Sequence, residues 1–160
     1  MTPDERRDLI EQYRRGPRLL RAAWDEVPVE ARTWRPAPSE WSAHEVIIHC
    51  ADSEAYAATR IRLLVAEPSP LIVGYDEAVW AKLFDYHQLP VEPAFAVIDA
   101  VRASTSLLID RLIDEQWTRS GTHTQSGPFS ADDWLRSYGE HLDIHVAQIN
   151  TNVALWTSRH

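Results

Sequence analysis

Two histidines, His141 and His145, lie four residues apart in the segment YGEHLDIH. Residues at this spacing share one face of an α-helix, so both imidazoles can bind one metal ion without distorting the backbone. A third histidine, His49, lies in the earlier helical pattern WSAHEVIIHCADSE. Two helices that supply three neutral nitrogens would leave coordination positions open to water or substrate. That arrangement is typical of catalytic sites, because structural zinc sites normally have four protein ligands.

Each of these histidines also has a simpler interpretation. An inward-facing histidine is often a hydrogen-bonded core residue, and this alternative stays open for His49. Two adjacent imidazoles without a metal must share partners and avoid joint protonation, which favours a metal without requiring one. Leu142 follows His141 where zinc proteases carry a glutamate, so a protease of that type is disfavoured. His123 is the reserve ligand, and His44 is expected on the surface.

Length and charge limit the class of protein. The chain has 160 residues, of which 44% are hydrophobic and seven are tryptophan. These values fit one packed globular domain over residues 1–160 and are small for two domains. The net charge is −8. Because nucleic-acid binding needs a concentrated basic face, we expect no nucleic-acid partner.

The compartment signals favour the cytoplasm. Cys50 is the only cysteine, so no internal disulfide can form and a secreted disulfide scaffold is excluded. The first residues are charged and lack the apolar segment of a signal peptide, and no apolar run approaches the roughly 20 residues of a membrane span. We therefore predict a soluble, cytoplasmic protein without a membrane partner.

Hydrophobic periodicity predicts an all-α fold. Ser42 and Ser130 each stand three residues before an acid, which is the spacing of a helix capping box. The predicted helices run from Thr2 to about Val27, from Ser39 or Ser42 to about Ala66, over 76–87, from near Glu92 to near Asp114, and from Ser130 to about Trp156. Residues 120–129 predict a glycine-rich loop, and no segment predicts a strand. The expected architecture is a four-helix bundle with an extra short helix.

Helical projection places the three histidines towards the bundle interior. At about 100° per residue, His141 and His145 share one arc of the last helix, beside the apolar arc that must face the core. The same arc holds Trp134, Tyr138, Gln148 and Asn152. His49 lies on a half-polar stripe of the second helix with Ser42, Val46, Ser53, Tyr56 and Arg60. Facing helices of bundles often build metal sites in this way.

Other reactive side chains have ordinary interpretations. Cys50 falls on an apolar arc, so a buried, unreactive residue is favoured over a nucleophile. Glu45, Asp52 and Asp143 could orient a metal-binding histidine, although acids on bundle helices are mostly solvated. Arg60 could meet an anionic substrate, but a surface ion pair is the default for such a residue.

Four sequence blocks carry a resemblance to a known family. They are WS at 41–42 with HCADS at 49–53, PLIVGYD at 70–76 with VWA at 79–81, TRSGTH at 118–123 with Gly127, and Tyr138 with HLDIH at 141–145 and Ile149. In their order and spacing, the chain resembles the DinB/YfiT-like superfamily of small bacterial metalloproteins, and its YfiT-like branch in particular. The resemblance implies an up-down-down-up bundle. It also implies a divalent metal held by three histidines, which correspond to His49, His141 and His145.

The resemblance does not fix the reaction, because related proteins include thiol transferases, mycothiol-dependent isomerases and metal-dependent hydrolases. The leading hypothesis is a metal-dependent transferase that uses a low-molecular-weight thiol on a small-molecule substrate, in a pocket lined by Trp134 and Tyr138. A bound thiolate needs no general base, and no sequence feature supplies one. The alternatives are a hydrolase that activates water and a non-catalytic metal-binding stress-response protein.

The remaining expectations concern the ion and the assembly. Imidazole ligands suit several divalent transition metals, of which zinc and nickel are preferred here. No catalytic residue and no organic-cofactor residue is assigned. A homodimer is expected, because related proteins often pair, the chain is rich in tryptophan and symmetric dimers are the commonest oligomers.

Overall fold

A computed structural model describes residues 1–159, and these residues form a helical bundle with one small sheet. The helices are α1 (Pro3–Asp25), α2 (Ala43–Ala66), α3 (Glu77–Leu83), α4 (Val91–Ile109), α5 (Asp114–Trp117) and α6 (Ala131–Thr157). Short 3-10 helices lie at Val29–Ala31 and Tyr86–Gln88, and the strands are β1 (Leu71–Ile72), β2 (Ser120–His123) and β3 (Gly127–Ser130). The four long helices, α1, α2, α4 and α6, form the bundle.

Capping boxes mark the starts of α1, α2 and α6, and those at Ser42 and Ser130 were predicted from their spacing. Ser42 caps α2: its hydroxyl accepts from the Glu45 backbone N–H, and the Glu45 carboxylate accepts from the Ser42 backbone N–H at 2.9 Å. Ser130 and Asp133 make the same reciprocal pair at the start of α6. Both boxes confirm the predicted helix starts. They satisfy N–H groups that have no partner inside a helix.

Contacts between α1 and α6 show that these helices are parallel. Arg6 donates to both carboxylate oxygens of Asp132 near the first turn of each helix. Further along both helices, Gly16 lies against the side chain of Leu142. Residue numbers therefore rise together along the interface.

Contacts between α6 and the segment that contains α2 show the opposite direction. The indole N–H of Trp134 donates to the Ala57 carbonyl at 2.9 Å, near the start of α6. At the other end of α6, Asn152 donates to the carbonyl of Trp41, just before α2 begins. These two helices are antiparallel.

Ion pairs between α1 and α4 give the last direction. Arg14 pairs with Asp110, and Arg21 pairs with Asp99 at 3.4 Å. Because α4 runs against α1 while α6 runs with it, the bundle has the predicted up-down-down-up order.

Two predicted helices are shorter than expected. The segment predicted as a helix over 76–87 ends at Leu83, and Asp85 has a left-handed backbone with φ of 46°, which a continuing α-helix cannot contain. The helix predicted to reach Asp114 ends at Ile109. Apolar residues continue the periodicity beyond that point, but Leu112 lies outside the helix and packs against the same part of the core as Ile109.

The absence of strands was a wrong prediction. β2 and β3 form an antiparallel hairpin within 120–130, and β1 adds to β2 in parallel, with Leu71 opposite Thr122. Gly121 permits this close approach, since a Cβ there would collide with the carbonyl oxygen of Pro70. The strands are short and lack alternating hydrophobicity, so their sequence resembles a loop.

No helix within residues 1–159 is long and apolar enough to cross a membrane.

Candidate metal centre

Helix α2 contributes His49, and α6 contributes His141 and His145, to one cluster in the bundle. One ring nitrogen from each residue lies within 4.8 Å of the others. The Nε2 atoms of His141 and His145 are 3.2 Å apart, and the ring of His49 lies 4.9 Å from that of His145. Within residues 1–159, these are the side chains that converge as a potential metal-binding group of three.

The spacing and chemistry of these nitrogens fit a transition-metal ion. Two nitrogens bound tetrahedrally at about 2.0–2.1 Å from zinc lie about 3.3 Å apart, close to the distance between His141 and His145. The buried Nδ1 atoms of His49 and His141 have no hydrogen-bond partner within residues 1–159. Three nitrogen donors suit zinc or nickel, whereas calcium and magnesium prefer oxygen. The residues present therefore fit a divalent transition metal.

Burial keeps these imidazoles neutral. It lowers the pKa of His49 to about 3, with a smaller contribution from the charge of His145. Burial also lowers the pKa of His141 well below its ordinary value, and the two neighbouring histidines lower it further. For His145, burial lowers the pKa although a hydrogen bond to Gln148 opposes the change. Neutral imidazole is the form that binds a metal, so the cluster is ready for one at pH 7.

Neighbouring side chains orient two of the three rings. The Nδ1 atom of His145 lies 2.9 Å from the amide oxygen of Gln148, which fixes the proton on Nδ1 and leaves Nε2 free to bind an ion. The ring of Trp41 packs on His49 with centroids 4.7 Å apart. Asn152 holds the Trp41 backbone, so the polar arc predicted on α6 positions both ends of the cluster.

Glu77, at the start of α3, lies beside the cluster and was not singled out from the sequence. Its Oε2 is 3.7 Å from His49 Nε2. Its side chain is 58% exposed, so the carboxylate contacts both solvent and the edge of the buried cluster. Burial raises the pKa of this carboxyl, and the charge of Asp76 adds to the effect. Asp76 caps α3 by accepting from the Val79 N–H at 2.9 Å, which fixes the helix that carries Glu77. Glu77 lies between the two parts of the second resemblance block, 70–76 and 79–81, so none of the quoted motifs includes it.

Ser53 and Tyr138 also lie close to His141. Ser53 Oγ is 3.5 Å from His141 Nε2, and the Tyr138 ring lies 5.9 Å from that of His141. Arg60 donates to the Tyr138 hydroxyl at 2.6 Å and to a backbone carbonyl, and it makes no ion pair within the described part of the chain. The prediction of a surface ion pair for Arg60 is therefore wrong.

Trp134 does not line an open pocket beside the cluster. Its side chain is 0% exposed, its indole N–H bonds to a backbone carbonyl, and its ring packs against Tyr13 at 5.5 Å. The prediction of a pocket lined by Trp134 and Tyr138 is therefore wrong for Trp134, which belongs to the core. Cys50 is also fully buried, as predicted for an unreactive residue.

The three acids predicted to orient histidines have other partners. Asp52 accepts from the Tyr86 hydroxyl at 2.5 Å, and Asp143 pairs with Arg15 at 2.9 Å. Glu45 pairs with an arginine and with a histidine outside the cluster. Within residues 1–159, no hydrogen bond or ion pair joins these acids to the cluster.

The reserve ligand His123 stays away from the cluster. Its Nδ1 accepts from backbone N–H groups in the β2–β3 turn at 3.3 Å. His44 and His87 form a separate pair with rings 5.9 Å apart. His160 lies outside the described residues.

Known proteins resemble this chain in both sequence and fold. A protein of Oceanobacillus iheyensis named "Putative metal-dependent hydrolase" is 32% identical over 84% of this chain and 78% of its own length. YfiT of Bacillus subtilis, with the same form of name, is 27% identical over 68% of this chain and 62% of its own length. The solved structure of YfiT, described as an unusual four-helix bundle topology, has a TM-score of 0.88 at 22% identity and covers 95% of this chain and 87% of that one.

A mycothiol-dependent maleylpyruvate isomerase has the same fold at greater distance. Its TM-score is 0.71 at 13% identity, over 93% of this chain and 61% of the isomerase. A match to the family model of the DinB superfamily extends over residues 12–149, which include all of α2 and α4 and all three histidines of the cluster. On this match, and on the bundle order shared with YfiT, the chain belongs to the DinB superfamily.

Proposed function

We propose that the chain is a metal-dependent hydrolase of a small-molecule substrate, with one divalent ion held by His49, His141 and His145. The observation that carries the proposal is the carboxylate of Glu77 beside three neutral imidazoles. The names of the relatives from O. iheyensis and B. subtilis support the same reaction class. Zinc and nickel are among the ions that suit three nitrogen donors.

A bound divalent ion supplies a water of lowered pKa, about 7 on zinc, and polarises the oxygen of a carbonyl. The protein supplies the geometry and a proton acceptor. Glu77 Oε2 can take a proton from a water molecule beside His49, because it lies 3.7 Å from the ring and faces solvent. The raised pKa of Glu77 brings its basicity closer to neutral pH, where general bases are most effective.

Glu77 changes the balance between the two enzymatic hypotheses. The sequence favours thiol transfer over hydrolysis, because no general base is recognisable in it and a bound thiolate needs none. A carboxylate beside the cluster removes that argument and favours water as the nucleophile. Thiol transfer remains the second candidate, since the mycothiol-dependent isomerase shares the fold.

A purely structural ion is the least supported hypothesis. Structural zinc sites have four protein ligands, whereas the cluster within residues 1–159 offers three. A chain of this size also forms its bundle core without help from an ion.

The deciding experiment assays metal-loaded protein against a panel of simple esters and amides, and separately against low-molecular-weight thiols with a model electrophile. We expect hydrolysis that a chelator abolishes and added zinc or nickel restores. Glu77→Gln should lower the hydrolysis rate about 10²–10⁴-fold while the protein keeps its metal.

Glu92→Gln is the matched control, because Glu92 lies in the first turn of α4 and is exposed. This control should hydrolyse at the wild-type rate. If Glu77→Gln is as active as wild type, or if thiol attack alone depends on the metal, thiol transfer replaces hydrolysis as the proposed function.

The single domain over residues 1–160, the homodimer and the cytoplasmic location stay predictions. Exposed apolar side chains at Leu71, Val73 and Leu83 are compatible with a dimer contact. A single 18.3 kDa species in sedimentation across micromolar concentrations would contradict the dimer.

A further inference from the structure

A buried ion pair lies directly behind the histidine cluster. Arg102 of α4 donates to Glu54 Oε1 of α2 at 2.6 Å, and the two side chains are 2% and 0% exposed. The same guanidinium donates to the carbonyls of Tyr13 at 2.5 Å and Tyr138 at 2.9 Å, so it links all four bundle helices. Gly16 makes room for it, since a Cβ there would lie 2.7 Å from Arg102 Nη1. The guanidinium of Arg102 is therefore held on several sides, and it holds the Glu54 carboxylate in turn.

Glu54 is the acid that faces the inner edge of His141. Its Oε1 lies 3.9 Å from His141 Nδ1, and that buried nitrogen has no hydrogen-bond partner within residues 1–159. The other nitrogen of His141, Nε2, faces the cluster. A histidine that binds a metal through one nitrogen normally donates its other N–H to a carboxylate or carbonyl. A buried N–H without an acceptor is costly.

We propose that Glu54 is a positioning residue, which accepts a hydrogen bond from His141 Nδ1–H when His141 binds the ion, while Arg102 holds the carboxylate in place. The inference rests on the proposed function only in taking His141 as a ligand. A gap of 3.9 Å is about 1 Å longer than a hydrogen bond, and a small rotation of the imidazole closes it. Glu54 then does for His141 what Gln148 does for His145.

A purely structural role for the pair makes a different prediction. If Glu54 and Arg102 only join helices, removing both charges together leaves His141 free to bind the ion as before. Replacing a buried ion pair by neutral side chains of similar volume is often tolerated, whereas removing one partner leaves a buried charge. The test therefore uses double variants.

The two variants are Glu54→Leu with Arg102→Met, and Glu54→Gln with Arg102→Met. Both remove the charges and keep similar volume, but only the glutamine retains an oxygen that can accept from His141. Zinc affinity is measured by competition with a chromophoric chelator, and far-UV circular dichroism checks the fold. We expect the leucine variant to bind zinc about 10–100-fold more weakly than wild type, and the glutamine variant to recover most of that loss.

Equal zinc affinities of the two variants, whether strong or weak, would overturn the inference and leave the proposed function in place. Failure of the wild type to bind zinc would instead overturn the proposed function, and the inference with it. Tyr13→Phe is a further control, because it removes the 3.4 Å contact to Glu54 without touching His141. Its zinc affinity should equal that of wild type.

A measurement on the wild type keeps the test independent of variant folding. In ¹⁵N-labelled protein loaded with zinc, the Nδ1 proton of His141 should be visible and exchange slowly with water. A fast-exchanging proton, or zinc bound through Nδ1, would contradict the proposed role of Glu54.

Discussion

Two groups of histidines lie in the same bundle and differ in how their nitrogens are used. In the pair of His44 and His87, the protein itself provides partners. His44 Nε2 lies 2.8 Å from the Leu89 carbonyl oxygen, and His87 Nε2 lies 2.8 Å from Ser42 Oγ and 3.2 Å from the Glu45 carboxylate. Hydrogen bonds of this kind are the usual state of a buried or half-buried histidine.

The cluster of His49, His141 and His145 is different. Its nitrogens face one another, and two of its buried nitrogens have no hydrogen-bond partner within residues 1–159. Folding would not leave such groups unpaired without a cost of about 1–3 kcal/mol each, which a metal ion and a repositioned acceptor would relieve. The comparison shows that the partners of the ring nitrogens, and not the residue type, distinguish a candidate metal site from a pair of hydrogen-bonded histidines.

The largest expected effect comes from removing one member of the cluster. His145→Ala should weaken zinc binding by about 100-fold or more, since loss of a ligand costs more than loss of an orienting partner, while the helical content stays close to wild type. Chelator competition and far-UV circular dichroism measure the two properties. His44→Ala, from the other group, is the control and should bind zinc normally. Global unfolding of His145→Ala would show that the ion is needed for the fold.

The next largest effect should be a pH dependence in the free energy of unfolding of metal-free protein, caused by the histidines of the cluster. Burial lowers the folded-state pKa of all three cluster histidines, to about 3 for His49, whereas histidine in an unfolded chain titrates near 6.5. The unfolded state then binds more protons below that pH. The stabilising contribution is therefore complete above about pH 6.5 and declines as pH falls towards the folded pKa values.

Each such histidine lowers the free energy of unfolding by about 1.4 kcal/mol per pH unit within that window. Urea titrations of metal-free protein at pH 7.5, 6.5 and 5.5 would measure this slope. It should be shallower in His49→Leu than in wild type. A free energy of unfolding that stays constant over this range would contradict the account of neutral, buried imidazoles.

The smallest effect should come from His87. His87→Ala removes one partner of Glu45, which keeps its ion pair with Arg35 and its capping bond to Ser42. We expect a loss of about 1 kcal/mol in the free energy of unfolding and no change in zinc affinity. Denaturant titration and chelator competition test both values. Weakened zinc binding here would mean that the two histidine groups are coupled.

The bundle and the centre of the candidate site were predictable from local sequence. Ser42 and Ser130 begin their helices as the capping spacing indicates. The four-residue interval between His141 and His145 brings their Nε2 atoms to 3.2 Å on one face of α6. These features follow from helix periodicity, which short stretches of sequence carry.

The two acids proposed to act beside the cluster were not predictable in this way. Glu77 reaches His49 because the loop and strand after α2 return α3 to the cluster. Glu54 of α2 approaches His141 of α6 across the interface between these helices, which lie far apart in sequence. The contact between Ser53 and His141, 88 residues apart, crosses the same interface. Local periodicity gives no information about such long-range contacts. Strand β1 was missed for a related reason, because it pairs with β2 across a long sequence separation. The local hairpin of β2 and β3 was missed because its strands are short and lack alternating hydrophobicity.

The most direct test of the account is a crystal structure of zinc-loaded protein prepared without a polyhistidine tag, with the metal content measured on the same sample. The account predicts one ion per chain, bound by His49, His141 and His145 at about 2.0–2.1 Å, with the remaining position open to water or substrate. A well-ordered structure in which these imidazoles point apart, or in which a fourth protein ligand closes the ion, would contradict it.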